Sequence, residues 1–163
     1  MAAVLVIAGV AFAQNWNNDD NAYKAGGPNV VFHQCELSNN SHDAVHANDT
    51  HDIEPTAITS SMIHGCDTED VRANDFPFGL DERTGWYECH AFNSPQNCNR
   101  GHVHINTSYS NIPEDYDRTL RLICEEIGHS VGLAHANDQD SCMSTSTAKH
   151  LTNHDKGLIN QHY

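Results

Sequence analysis

Positive charge is scarce in this 163-residue chain. Lys and Arg together number 8 against 22 Asp and Glu, for a net charge of -14. Nucleic acid and anionic membranes would repel such a surface, so both are excluded as partners. None of the six cysteines stands in a C-x-x-C pair, which argues against a structural zinc knuckle. There is no internal repeat and no long linker, and the length suits one domain with a modest core. The one long apolar run, Ala2 to Ala13, is too short to span a bilayer.

That run ends in Ala11-Phe12-Ala13, an A-x-A cleavage pattern, although the basic residues that usually precede it are missing. Residues 1–13 therefore read as a secretory signal, the rival reading being a buried N-terminal strand or helix. The mature domain, residues 14–163, is expected outside the cell. An even cysteine count in a small exported domain indicates a disulfide framework built from Cys35, Cys66, Cys89, Cys98, Cys124 and Cys142. Fifteen connectivities are formally possible. Cys89 and Cys98 flank a short Pro- and Asn-rich segment, so that small loop is the easiest to close. The thirteen histidines are expected to be mostly exposed and to charge below about pH 6.5. Asn39, Asn48 and Asn106 each stand in an N-x-S/T sequon.

Residues 14–28 are polar and end in Gly26-Gly27-Pro28, a flexible lead-in. Val30-Val31-Phe32 suits a first strand. Ser41 is a candidate cap for a short helix carrying His42 and His46 at i, i+4. That is metal-ligand spacing, but a polar helix face explains it as well. Pro55 stops any helix from before it. Ala57 to Ile63 reads as a strand or a turn of helix, Val71 to Ala73 as a strand, and Asn74 to Arg83 as a loop. Gly85 to Cys89 reads as a strand with aromatic anchors. In Gly101 to Thr107, Val103 and Ile105 face one way and His102, His104 and Asn106 the other. The two histidines form either a metal pair or, the preferred reading, a polar strand face beside a cleft. Pro113 is placed to open a helix whose stripe of Leu120, Cys124, Ile127 and Val131 faces the core. Gly132 ends that helix, and Thr152 to Tyr163 closes the chain as another.

The chemistry concentrates in Leu122 to His135, L-I-C-E-E-I-G-H-S-V-G-L-A-H. On a helix, Glu125 and His129 share one face a turn apart, and Glu126 leans over the same site. The turn at Gly132 lets His135 return as a third ligand. Such a set leaves one metal position open for water, as hydrolytic catalysis requires. Zinc is the expected metal, with Glu126 as the general base.

H-x-x-G-x-x-H followed closely by Met143 resembles the metzincin clan of zinc endopeptidases, and specifically its small, secreted, matrixin-like members. The resemblance covers most of residues 73–163. It takes in T-G-W-Y at Thr84 to Tyr87, the strand at Gly101 to Thr107, the helix to His135, S-C-M at Ser141 to Met143, and the tail from Asn153. It implies an α+β fold: one metzincin-like domain with a small twisted mixed sheet, an active-site helix, a methionine turn under the metal and a C-terminal helix. It also implies a Cys124–Cys142 bridge and a cleft edge at Gly101 to Thr107 that pairs with an extended peptide or protein substrate. A monomer is expected.

Glu125 departs from the family pattern, which has histidine there. Its carboxylate oxygen lies as many bonds from the backbone as the distal imidazole nitrogen, and a His2Glu set is known for hydrolytic zinc. The added negative charge predicts a weaker Lewis acid and reduced activity at neutral pH. The alternatives are a pseudoprotease that binds a peptide or protein in an idle cleft, and the facial triad of non-haem iron enzymes.

Overall fold

The computed structural model describes residues 24–66, 70–80, 83–94, 97–109 and 111–163. The expected signal at 1–13, and the lead-in up to residue 23, lie outside them. Six strands and three α-helices follow in the order β1 (Lys24–Ala25), β2 (Asn29–Cys35), α1 (Asn39–Asn48), β3 (Thr59–His64), β4 (Asp70–Phe76), β5 (Gly85–Ser94), β6 (Asn97–Asn106), α2 (Tyr116–Ser130) and α3 (Asn153–His162). A single π-helical turn, Asp49–Ile53, prolongs α1 before Pro55 stops it.

The strands form one mixed sheet in the order β1-β6-β4-β2-β3, with β5 also paired to β6. Every pairing is parallel except β5 with β6, which is antiparallel and carries register shifts between Cys89 and Ser94. The fold is thus the α+β class expected. Alternation sets the faces of β6: Val103 and Ile105 are fully buried against the helices. They join Phe32, Val71, Ile123, Ile127, Met143 and Ile159 in one core. The predicted stripe of α2 is buried at all four positions, with Leu120 at 6%, Cys124 at 0%, Ile127 at 1% and Val131 at 0% exposure. No helix among the described residues is long and apolar enough to cross a membrane.

Several elements differ from the sequence expectation, each for a local reason. Within the lead-in, Lys24 and Ala25 pair with Asn97 and Cys98. The cap position of α1 is Ser38, not Ser41. Its N–H and hydroxyl both donate to Asp75 Oδ2, at 2.9 and 2.6 Å, which pins the helix start to the end of β4. That anchor also explains why β4 runs on to Phe76 through residues read as loop. Helix α2 begins at Tyr116 rather than Pro113, because the Asp115 side chain accepts from the Arg118 N–H and caps it there. The closing helix is as expected, with a Thr152–Asp155 capping box. Strand β6 is not a free edge: β4 and β5 flank it, and β5 takes the edge position. Two sequons are closed by burial, since Asn48 and Asn106 are both fully buried. Asn106 Nδ2 donates to the carbonyls of Gly79 and Arg83. Of the thirteen histidines, His33, His102, His104 and His129 are buried, so the expected exposure fails at the sheet and at the helix end.

Three disulfides close the molecule: Cys35–Cys66, Cys89–Cys98 and Cys124–Cys142. They join β2 to the segment before β4, tie the β5–β6 hairpin, and link α2 to the Met143 turn.

Candidate metal centre

Helix α2 delivers the first residues of the site. It ends at Ser130, and Gly132 takes φ +98, a left-handed conformation that glycine adopts without the strain a side chain would bring. The Leu133 N–H then bonds back to the Gly128 carbonyl at 2.9 Å, and the chain reverses. This reversal brings His135 beside the helix it has just left. His129 Nε2 and His135 Nε2 face each other at 3.2 Å. Glu125 Oε1 lies 3.2 Å from His135 Nε2. One ligand atom from each of Glu125, His129 and His135 falls within 4.8 Å of the others.

The donor set has the chemistry of a cation site. His129 Nδ1 donates to the Leu133 carbonyl at 2.8 Å, which leaves the Nε2 lone pair directed at the cluster. Two imidazole nitrogens at 3.2 Å need a proton or a cation between them. His135 is the most open of the three, with 53% of its side chain exposed against 17% for Glu125. The site is therefore walled on the helix side and open on the other.

Glu126, next to Glu125 on α2, is only 5% exposed. Burial raises its carboxyl pKa well above the ordinary value, and the neighbouring Glu125 charge adds to the rise. A backbone hydrogen bond from Tyr87 and the Arg121 charge oppose it. Its Oε2 is buried with no hydrogen-bond partner, an orphaned acceptor one residue along α2 from Glu125.

Met143 packs against α2 at Gly128. It is fully buried, and the Ala136 N–H donates to its carbonyl at 2.8 Å, joining the segment after His135 to the methionine turn. Gly128, one residue before His129, leaves the room in which the Met143 side chain lies. A cavity of about 650 Å³ opens one turn along α2, lined among others by Ile112, Arg121, Leu122, Thr145 and Lys149.

A second group brings Glu88, His90, His102 and His104 together on the outer face of β5 and β6. His90 Nε2 and His104 Nε2 bond Glu88 Oε1 at 2.8 and 2.9 Å. Burial pushes Glu88 up, but these two hydrogen bonds bring its pKa below the ordinary value. Burial lowers His104, and lowers His102 to about 4 with the help of Arg72. The Arg72 Nη2 lies 3.4 Å from His102 Nδ1. Arginine only donates, so this contact puts the neutral proton of His102 on Nε2, which is buried with no hydrogen-bond partner. The structure thus sets His102 and His104 on a polar strand face, within a group of four possible ligand side chains. The His42 and His46 rings lie 4.8 Å apart, tilted by 54°, and join no group of three ligand atoms among the described residues.

Sequence reasoning missed Arg121, Glu88 and His90. Arg121 was detectable as the i-4 partner of Glu125 on one helix face. Glu88 and His90 were detectable only through the pairing of β5 with β6.

The frame is an α+β fold with a His-His-carboxylate cluster at the end of its long helix. Archaemetzincin from Methanopyrus kandleri superposes with a TM-score of 0.56 at 14% identity, over 83% of this chain and 96% of that one. Myroilysin superposes with a TM-score of 0.57 at 13% identity, over 87% of this chain and 82% of that one. No protein-family model matches the chain, and no curated protein matches it.

Proposed function

We propose that the chain is a secreted, matrixin-like zinc endopeptidase in which Glu125, His129 and His135 hold the metal and Glu126 is the general base. The observation that carries this reading is the convergence of one carboxylate oxygen and two imidazole nitrogens at 3.2 Å separations, with Glu126 beside them. The metzincin-type frame and three disulfides support it, the latter because such bridges persist in oxidising compartments.

Zinc in this site supplies Lewis acidity toward the scissile carbonyl and toward water. The chain's own residues do the rest. The raised proton affinity of Glu126 suits it to take the proton of the attacking water and hand it to the leaving amine. The Tyr87 N–H holds Glu126 from β5, so the base is fixed to the strand that forms the sheet edge. An extended peptide adds antiparallel to that edge and passes the base. The cavity beside Arg121 and Leu122 receives one of its side chains. The protein acts as a monomer on peptides or proteins.

Zinc measured on purified, oxidised protein tests the reading. About one equivalent per chain is expected; less than about half, with no recovery on adding zinc, removes the enzyme and leaves a peptide-binding pseudoprotease. Glu126→Gln is expected to abolish turnover of a protein substrate and to keep the metal. Retained turnover would take Glu126 out of the base role.

A further inference from the structure

A glutamate ligand poses a problem that a histidine does not. Its flexible side chain must be held before one oxygen can be presented, and it brings a full negative charge. The structure places a residue where both difficulties are met. Arg121, one turn before Glu125 on α2, sets its Nη2 3.3 Å from Glu125 Oε2. The opposite oxygen, Oε1, is the one that faces His135. The carboxylate is thus divided: one oxygen to the guanidinium, one to the cluster.

The guanidinium is itself fixed. Its Nε donates to the Ser146 carbonyl at 2.6 Å and its Nη2 to the Ser144 carbonyl at 2.8 Å. Both carbonyls belong to the segment that leaves the Met143 turn, and that segment is braced. The hydroxyls of Ser144 and Ser146 both donate to the Ser141 carbonyl, at 2.9 and 3.1 Å. The neighbouring Cys142 is bridged to Cys124. The fork of Arg121 therefore spans from the methionine turn to the carboxylate. A lysine, with one rotating ammonium, lacks the planar fork that serves two carbonyls and a carboxylate together.

We infer that Arg121 is a positioning residue for the metal: it holds Glu125 with Oε1 toward the two histidines and offsets the charge that this carboxylate adds to the ligand set. The inference rests on the zinc reading above. It assigns the pair Arg121 and Glu125 as one functional unit, in place of a single ligand.

The test is zinc affinity, measured by competition with a chromophoric chelator, in the wild type and in Arg121→Gln, each with Glu125 or with Glu125→His. Arg121→Gln is expected to weaken zinc about 10- to 100-fold, the range typical of residues that orient a ligand. In the Glu125→His background the same change is expected to have less than about a threefold effect, because no carboxylate remains to be held. Cobalt-loaded Arg121→Gln is expected to show an altered visible absorption spectrum, which a merely structural loss would not produce in the fraction that binds. Arg121→Lys keeps the charge and a helix-compatible stem; it is expected to recover only part of the affinity. Wild-type protein that binds zinc, with Arg121→Gln equal to it in affinity and cobalt spectrum, would overturn this assignment and leave the zinc reading intact. An equal loss in both backgrounds would also overturn it, by showing a general structural role. Wild-type protein that binds no zinc would remove both.

Discussion

Gly128 lies inside α2, where glycine costs about 1 kcal/mol relative to alanine. On propensity alone, Gly128→Ala stabilises the protein by that amount. The structure predicts the reverse. A Cβ at 128 would fall inside contact distance of Met143 Sδ, with Met143 Cε at 3.1 Å and Leu133 Cδ1 at 3.7 Å. Met143 is fully buried, and its backbone is held by Ala136 and by the Cys124–Cys142 bridge. It has little room to retreat, so overpacking is expected at the upper end of the usual range, about 3 kcal/mol. Set against the helix gain, the net loss is about 2 kcal/mol. Urea unfolding of the oxidised protein measures it, with Met143→Ala as the second arm of a cycle. Met143→Ala alone leaves a cavity and costs about 2–5 kcal/mol. In that background the obstructing atoms are gone, and Gly128→Ala is expected to be neutral or to stabilise by up to about 1 kcal/mol. A Gly128→Ala cost that is the same in both backgrounds would refute the contact. So would a single variant that is more stable than the parent.

Two further predictions follow from the site and the sheet. Glu125→His is expected to raise both zinc affinity and proteolytic rate, since it removes the ligand charge that weakens the Lewis acid; if both stay flat, the geometry around residue 125 is wrong. His102, buried and near Arg72, titrates at about 4 in the fold against 6.5 for the free side chain. The unfolded chain therefore binds more protons between these values: stability is complete above about pH 6.5 and falls as pH drops toward 4, by about 1–2 kcal/mol at about pH 5. Chemical denaturation of the wild type and His102→Asn across this range checks it, and an undiminished pH slope in the variant would exclude His102 as the source.

The parts of the fold that were legible in the sequence are those set by local periodicity. The core stripe of α2, the alternation of β6 and the stop at Gly132 all depend on neighbours a few residues away. Glu125, His129 and His135 were readable because all three lie on one short run of chain. What escaped was set across the fold. The α1 cap moved to Ser38 because Asp75, 37 residues distant, binds it. Pro113 yielded the helix start to the Asp115 cap, although both carry helix-opening signals. The resemblance implies a cleft edge at Gly101 to Thr107, yet β5 lies outside β6, because no pattern within a strand tells which partner flanks it. Glu88 and His90 became visible only when β5 was laid against β6. Arg121 was detectable only as the i-4 neighbour of Glu125, and its anchoring appears when the carbonyls of Ser144 and Ser146 close around it.

The Cys124–Cys142 bridge has a topological consequence. It closes a covalent ring between two cysteines 18 positions apart, and Glu125, Glu126, Gly128, His129, Gly132 and His135 all lie within that ring. Because the circuit begins one residue before Glu125 and ends one residue before Met143, a single cut of the backbone anywhere inside it leaves both fragments attached. A nick inside the ring therefore does not release the centre, whereas β4, which lies in none of the three rings, has no such protection. A clipped molecule would run as two pieces only after reduction.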